Sequence, residues 1–153
     1  MVYEFSTNDI YGKGGEQENL QDLIDTLGRM ITSIFEKCGF TRRLPRYELY
    51  VTTSQWETFG LTLMEAVGAG LALVGFDARY GNPTFIKDGE NGYLVPYSET
   101  MDEDLLVSQM ADKIVFALES DLESMHQISY DLAKQYLKPE ILEAWRKLLI
   151  AIR

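Results

Sequence analysis

One unit of the chain restricts its fold more than any other: "YELYVTT" at residues 47–53, then "LTLMEAV" at 61–67, then "LALVGFD" at 71–77. The first segment alternates and is rich in β-branched and aromatic residues, which predicts a strand. The second predicts a helix that begins after the Gly60 break and is ended by Gly68 and Gly70. The third has no polar residue before Asp77, as expected of a strand covered on both faces. A strand, a helix and a doubly covered strand in that order make a parallel β-α-β unit with a right-handed crossover.

The flanking segments extend the same pattern. The opening "VYEFSTNDIYGKGGEQENLQDLIDTLGRMI" reads as a short strand ending in "DIYG", a turn at Gly12, Gly14 and Gly15, and a helix with Leu20, Leu23, Ile24 and Leu27 on one face. Residues 30–46, with the basic cluster Arg42, Arg43 and Arg46 around Pro45, read mostly as loop with a helical turn or strand before Gly39. Asn82-Pro83 predicts a helix start with proline in the first position, "PTFIKD" a short helix, "ENG" a turn and "YLVP" a last strand. From residue 102 onward three apolar stripes follow helical spacing: Leu106, Met110, Ile114, Leu118; Leu122, Met125, Leu132, Tyr136; and Ile141, Trp145, Leu148, Ile152. The fold class expected is α/β, a Rossmann-like parallel sheet with flanking helices and a helical C-terminal tail.

Composition excludes several functions. Fourteen basic against 24 acidic residues give a net charge of −10, which disfavours nucleic acid as a partner, and the aromatics show no base-stacking pattern. A single cysteine, Cys38, and a single histidine, His126, leave no cluster of metal-ligand spacing, so no metal is expected. His126, beside an apolar stripe, reads as structural or exposed. The acidic run from Glu99 to Glu123, interrupted only by Lys113, reads as a solvated helical face. The N-terminus lacks the basic and apolar regions of a signal peptide, and a cytoplasmic location is expected.

Chemistry concentrates in "SQWETFGLTLMEAVGAGLALVGFD", residues 54–77, where Glu65 interrupts an otherwise apolar run and Glu57 stands beside a Phe-Gly step. The helix beginning near Gly60 has unpaired N–H groups at its start, an anion site suited to phosphate, and a glycine there lets a ligand approach the main chain. Eight residues are about 80° around a helix axis, so Glu57 and Glu65 can face one crevice at the carboxyl edge of the sheet. An ionised Glu65 in a core needs donors. Two readings stand on the residues alone: hydroxyls of a bound nucleotide's sugar, or an arginine or backbone segment of the protein itself. Leu61, Leu63, Met64 and Val67 read as core. Gly68-Ala69-Gly70 reads as close helix-strand packing, because a dinucleotide fingerprint needs a third glycine.

Residues "ETFGLTLMEAVGAGLALVGFD" resemble the E-x7-E region of the family-4 retaining glycosyltransferases of GT-B fold, with Glu57 and Glu65 at its two glutamate positions. "YGKGGEQENLQDLI" is similar to that family's strand-G-x-G-x-E segment, and "FIKDGENGYLVP" to its D-G-x-N-G element. "GFDARYGNPTFIKDGENGYLVP" looks most like bacterial accessory-secretion enzymes that attach N-acetylglucosamine to serine-rich adhesins, and also like poly(glycerol-phosphate) α-glucosyltransferases. Thr84 stands where many members carry Glu.

The resemblance implies a partial C-terminal, donor-binding domain: 7–97 as the nucleotide-sugar core, 102–153 as helical tail, and the N-terminal acceptor domain absent. It implies transfer of a hexose or N-acetylglucosamine from a UDP-sugar to a hydroxyl of a serine-rich protein or glycerol-phosphate polymer, with retention and with no cofactor or metal. Glu65 would hold the ribose, the N–H groups around Phe59, Gly60, Leu61 and Thr62 would face the diphosphate or donor sugar, and Gly12 and Gly14 would shape the nucleotide loop. Glu57 would be the catalytic carboxylate, acting by electrostatics and positioning. A partner glycosyltransferase subunit, a homodimer of the chain and a peripheral place at the inner face of the membrane are further expectations. The alternatives are a non-catalytic glycosyltransferase-like module that stabilises a partner, and an NAD-type domain.

Overall fold

The computed structural model describes residues 9–11, 33–35 and 40–152, in two compact units that divide after Arg42. In the first unit β1 (Asp9–Tyr11) and β2 (Ser33–Phe35) pair in parallel. The expected strand ending in "DIYG" is therefore present, and β2 is the strand expected before Gly39. The predicted glycine turn and the helix over Leu20–Leu27 lie outside the described residues. A one-turn helix α1 (Phe40–Arg43) leads through a 3-10 turn at Leu44–Arg46 into the second unit, with Arg42 and Arg46 exposed.

The second unit is a three-stranded parallel sheet in the order β3 (Leu49–Thr52), β4 (Ala72–Phe76), β5 (Gly92–Val95). β4, the all-apolar segment, is central and buried at every residue, so both its faces are covered. Helix α2 (Leu61–Gly68) connects β3 to β4, and α3 (Gly81–Phe85) follows β4. Helix α4 (Glu103–Glu119) packs Leu106, Met110 and Ala117 onto Val74, Phe76 and Val95, the alternate residues that share one face of the sheet. Helix α5 (Leu122–Ala133) packs against α2 and β4, burying Met125, Ser129 and Leu132.

Four expectations are corrected in detail. Proline does not open α3: the helix starts at Gly81, Pro83 is its third residue, and it stops at Phe85 because Ile86 is already extended. Leu61 is 63% exposed, since the first residue of α2 points away from the sheet while Leu63 and Val67 are buried. Close packing falls at Gly70, whose α-carbon faces the Tyr130 ring, whereas Gly68 has no neighbour within 4 Å of where a Cβ would stand. The third stripe forms helix α6 (Lys138–Ala151) as its spacing predicts, but no residue of α6 is buried.

The acidic run is largely exposed, and two of its members do local work. Asp102 Oδ1 accepts from Leu105 N at 3.1 Å and Asp121 Oδ1 accepts from Ser124 N at 3.1 Å, capping α4 and α5. Asp102→Ala is expected to cost about 1 kcal/mol, the usual value of an N-cap, read as a lowered urea midpoint. His126 is structural: its Nε2 lies 2.8 Å from the Glu48 carbonyl oxygen, tying α5 to the approach of β3.

Candidate functional site

The loop from Thr53 to Gly60 leaves the carboxyl end of β3 and turns into α2, so the start of α2 lies at the carboxyl edge of the sheet. Gly60 makes the turn with φ +87°, a left-handed conformation that strains any residue with a side chain. A Cβ there would also fall 2.6 Å from Leu63 Cδ1. The helix has no side-chain N-cap and no acidic residue in its first turn. Met64 N donates to Gly60 O at 2.9 Å, which leaves the N–H groups of Leu61, Thr62 and Leu63 without intrahelical acceptors. Such a start, with the positive end of the helix dipole, favours an anion.

Glu57 is held by its backbone. Its N–H donates to the Arg79 carbonyl at 3.2 Å, and its carbonyl accepts from the N–H groups of Tyr80 and Gly81, the latter at 2.8 Å. A Cβ on Gly81 would fall 2.6 Å from Glu57 Cγ and 2.7 Å from Phe59 O, so glycine is required for the strand ends to close on the glutamate. The Glu57 side chain is thereby wedged between Gly60 and Gly81 and remains half-buried. Exposed aromatic residues flank it: Trp56, Tyr80, and Phe59, which meets Phe85 edge to face at 5.6 Å.

Glu65 lies one turn into α2 and is half-buried, not enclosed in the core as its apolar neighbours suggested. The Tyr50 hydroxyl is pushed above its ordinary pKa, first by burial and then by the charges of Glu57 and Glu65, while a hydrogen bond with Thr62 acts in the opposite direction. Glu57, Glu65 and Thr62 thus all act on this one phenol, which stands on the strand that leads into α2. Tyr50 was missed at the level of sequence, where it counted only as an alternating strand residue. The available signal was an aromatic side chain with a polar tip on the strand just upstream of the two glutamates.

Behind this edge Asn82 is fully buried, its Nδ2 donating to Phe76 O at 2.8 Å and to Ser54 O at 3.2 Å. It binds the ends of β3 and β4 to the start of α3. Its Oδ1 has no partner among the described residues. Thr84 turns back into its own helix, donating to Tyr80 O at 2.7 Å. Gly12 and Gly14 lie outside the described residues. Among the described residues no group of three or more His, Cys, Asp or Glu could hold a metal ion, and no helix is long and apolar enough to cross a membrane.

Known proteins resemble this chain over nearly its whole length. The family model described as glycosyl transferases group 1 matches residues 7–134. The UDP-N-acetylglucosamine–peptide N-acetylglucosaminyltransferase GtfA subunit of Streptococcus gordonii is 44% identical over 149 residues, 96% of this chain and 29% of that protein. Poly(ribitol-phosphate) α-N-acetylglucosaminyltransferase of Staphylococcus aureus is 32% identical over 91% of this chain and 28% of its own length. The crystal structure of the pneumococcal O-GlcNAc transferase GtfA in complex with UDP and GlcNAc superposes with a TM-score of 0.84 at 44% identity, covering 95% of this chain and 29% of that one. The chain thus spans less than a third of the length of these relatives, and it matches them across nearly all of its own. With a parallel sheet, flanking helices and a family match over most of its residues, the chain belongs to the glycosyl transferases group 1 family.

Proposed function

We propose that this chain supplies the donor side of a glycosyltransferase that moves a hexose or N-acetylglucosamine from a UDP-sugar to a protein or polymer hydroxyl with retention. The observation that carries the reading is Glu57 held between Gly60 and Gly81 at the uncapped start of α2, with the half-buried Glu65 one turn further along the same helix. An anion site flanked by two carboxylates suits a ligand that is both anionic and rich in hydroxyls. The diphosphate takes the N–H groups of Leu61, Thr62 and Leu63, and the ribose hydroxyls donate to Glu65. Glu57, fixed between Gly60 and Gly81, faces the sugar carbon and stabilises the positive charge that develops there.

In the step that follows, the acceptor oxygen bonds to the anomeric carbon on the face from which the phosphate leaves. The acceptor proton passes to the departing phosphate oxygen, and UDP is released. No residue needs to become covalently attached and no metal is required. The relatives named above carry a peptide and a poly(ribitol-phosphate) in their names, which supports a protein or a polyol-phosphate polymer as acceptor, and the word subunit in one of those names supports a partner glycosyltransferase chain. A cytoplasmic place, at the inner face of the membrane, fits the use of nucleotide sugars.

Titration of the native gene product with UDP-GlcNAc and UDP-Glc tests the donor assignment. Glu65→Ala removes charged hydrogen bonds to two hydroxyls, and its dissociation constant is expected to rise about thirtyfold, equivalent to about 2 kcal/mol. Unchanged affinity in that variant would remove Glu65 from the ribose site.

A further inference from the structure

The segment from Arg79 to Asn82 grips the loop that carries Glu57 at two places. Its backbone takes Glu57 itself: the Arg79 carbonyl accepts from Glu57 N at 3.2 Å, and Gly81 N donates to Glu57 O at 2.8 Å. Its last side chain, Asn82, reaches the root of the same loop, donating from Nδ2 to Ser54 O at 3.2 Å and to Phe76 O, at the end of β4, at 2.8 Å. Resting on the nucleotide-sugar reading, we infer that Asn82 is a positioning residue for Glu57: by tying Ser54 to the end of the central strand, it fixes how far the loop carries the carboxylate toward the donor sugar.

Three features give Asn82 this role. The pairing of β3 with β4 ends at Thr52, and the other bonds at the root of the loop are long or exposed: Ser54 N to Thr52 Oγ1 at 3.4 Å, and the Tyr97 hydroxyl to Gln55 Oε1 at the surface. The clamp from Asn82 is short on its Phe76 side and lies beneath the surface. Asn82 is also completely buried with its Oδ1 unpartnered among the described residues, an arrangement that costs stability, so the two bonds donated by Nδ2 are what the amide supplies in return. Finally, the segment approaches so closely that a Cβ on Gly81 would fall 2.6 Å from Glu57 Cγ, and a shift of Asn82 is passed directly to the glutamate. A carboxylate that acts through its charge is sensitive to such a shift: withdrawing it from about 5 to about 7 Å weakens its attraction for a positive centre by about 30%.

The test uses the native gene product, with UDP release from UDP-GlcNAc or UDP-Glc in water as the measure of turnover and UDP as the binding probe. Asn82→Ala is expected to lower kcat per folded molecule about fivefold, while UDP affinity stays within about twofold, because Asn82 does not hold the N–H groups of Leu61, Thr62 and Leu63. In the Glu57→Gln background, where the charge to be placed is gone, Asn82→Ala should change kcat by less than about twofold. Ser129→Ala removes a buried hydrogen-bonding group elsewhere in the fold and should leave kcat per folded molecule unchanged. Asn82→Ser, whose short hydroxyl can serve at most one of the two carbonyls, is the milder variant should Asn82→Ala not fold, with an expected loss of about threefold. Wild-type kcat in the folded Asn82 variants overturns the inference. An undiminished loss in the Glu57→Gln background, or the same loss in Ser129→Ala, overturns it too, since either marks a general loosening of the fold, and so does failure of both Asn82 variants to fold. Wild-type protein that neither binds UDP nor releases it from either donor overturns the nucleotide-sugar reading itself, a result distinct from a failure of Asn82 alone.

Discussion

Asn91→Ala is expected to destabilise the chain by about 4 kcal/mol, read as a large fall in the urea midpoint and in thermal stability. Asn91 is completely buried, and its amide closes three connections at once. Its Oδ1 accepts from Lys87 N at 2.7 Å, and its Nδ2 donates to Phe85 O at 3.0 Å and to Ser129 Oγ at 3.1 Å. Ser129 Oγ in turn donates to Leu71 O at 2.7 Å. One side chain thus ties the end of α3, the turn before β5, helix α5 and the entry to β4. Alanine removes the partners of Lys87 N and Phe85 O beneath a packed layer, so their desolvation is no longer offset. Asn91→Asp is expected to fail comparably, because a carboxylate cannot donate to Phe85 O. Ser129→Ala should cost about 1.5 kcal/mol alone and much less in the Asn91→Ala background, since the two share a network. A loss below about 1 kcal/mol for Asn91→Ala would mean that water replaces the amide.

That residue also shows where sequence reading stops. "ENG" reads as a turn because asparagine and glycine favour turn geometry, and the chain does turn there. What the local pattern does not carry is that Asn91 points inward to a serine 38 residues away. Asn82 is the same case: its dipeptide with Pro83 reads as a helix start, while its amide is consumed by the carbonyls of Ser54 and Phe76. The β-α-β unit, by contrast, was legible because period and burial agree along β3, α2 and β4. The three C-terminal helices were legible for the same reason, yet the spacing of Ile141, Trp145 and Leu148 gives the existence of an apolar face and not its burial. For the site, the two glutamates and Gly60 stood out by type and spacing. Tyr50 did not, because its burial and its place in the field of Glu57 and Glu65 depend on how the strand lies against the next helix, a tertiary relation.

The substitution that separates chemistry from binding is Glu57→Gln, expected to lower kcat of the native gene product about a hundredfold while the donor KM changes less than about threefold. Glutamine fills the same space, so the wedge between Gly60 and Gly81 and the backbone pairing with Arg79, Tyr80 and Gly81 survive. Only the charge is lost. A full negative charge about 5 Å from a developing positive one, at an effective dielectric of about 20, is worth about 3 kcal/mol, and a hundredfold rate change corresponds to about 2.7 kcal/mol. Because the sugar carbon carries that charge in the transition state and not in the bound donor, the loss should fall on turnover. Rates of product formation followed by mass, beside an unchanged melting temperature, are the measurement. Equal turnover in Glu57→Gln and wild type would take Glu57 out of the chemistry. A parallel loss of donor affinity and rate would instead place it with Glu65 as a second ligand to the bound nucleotide sugar, and the division between a binding and a reacting carboxylate would not hold.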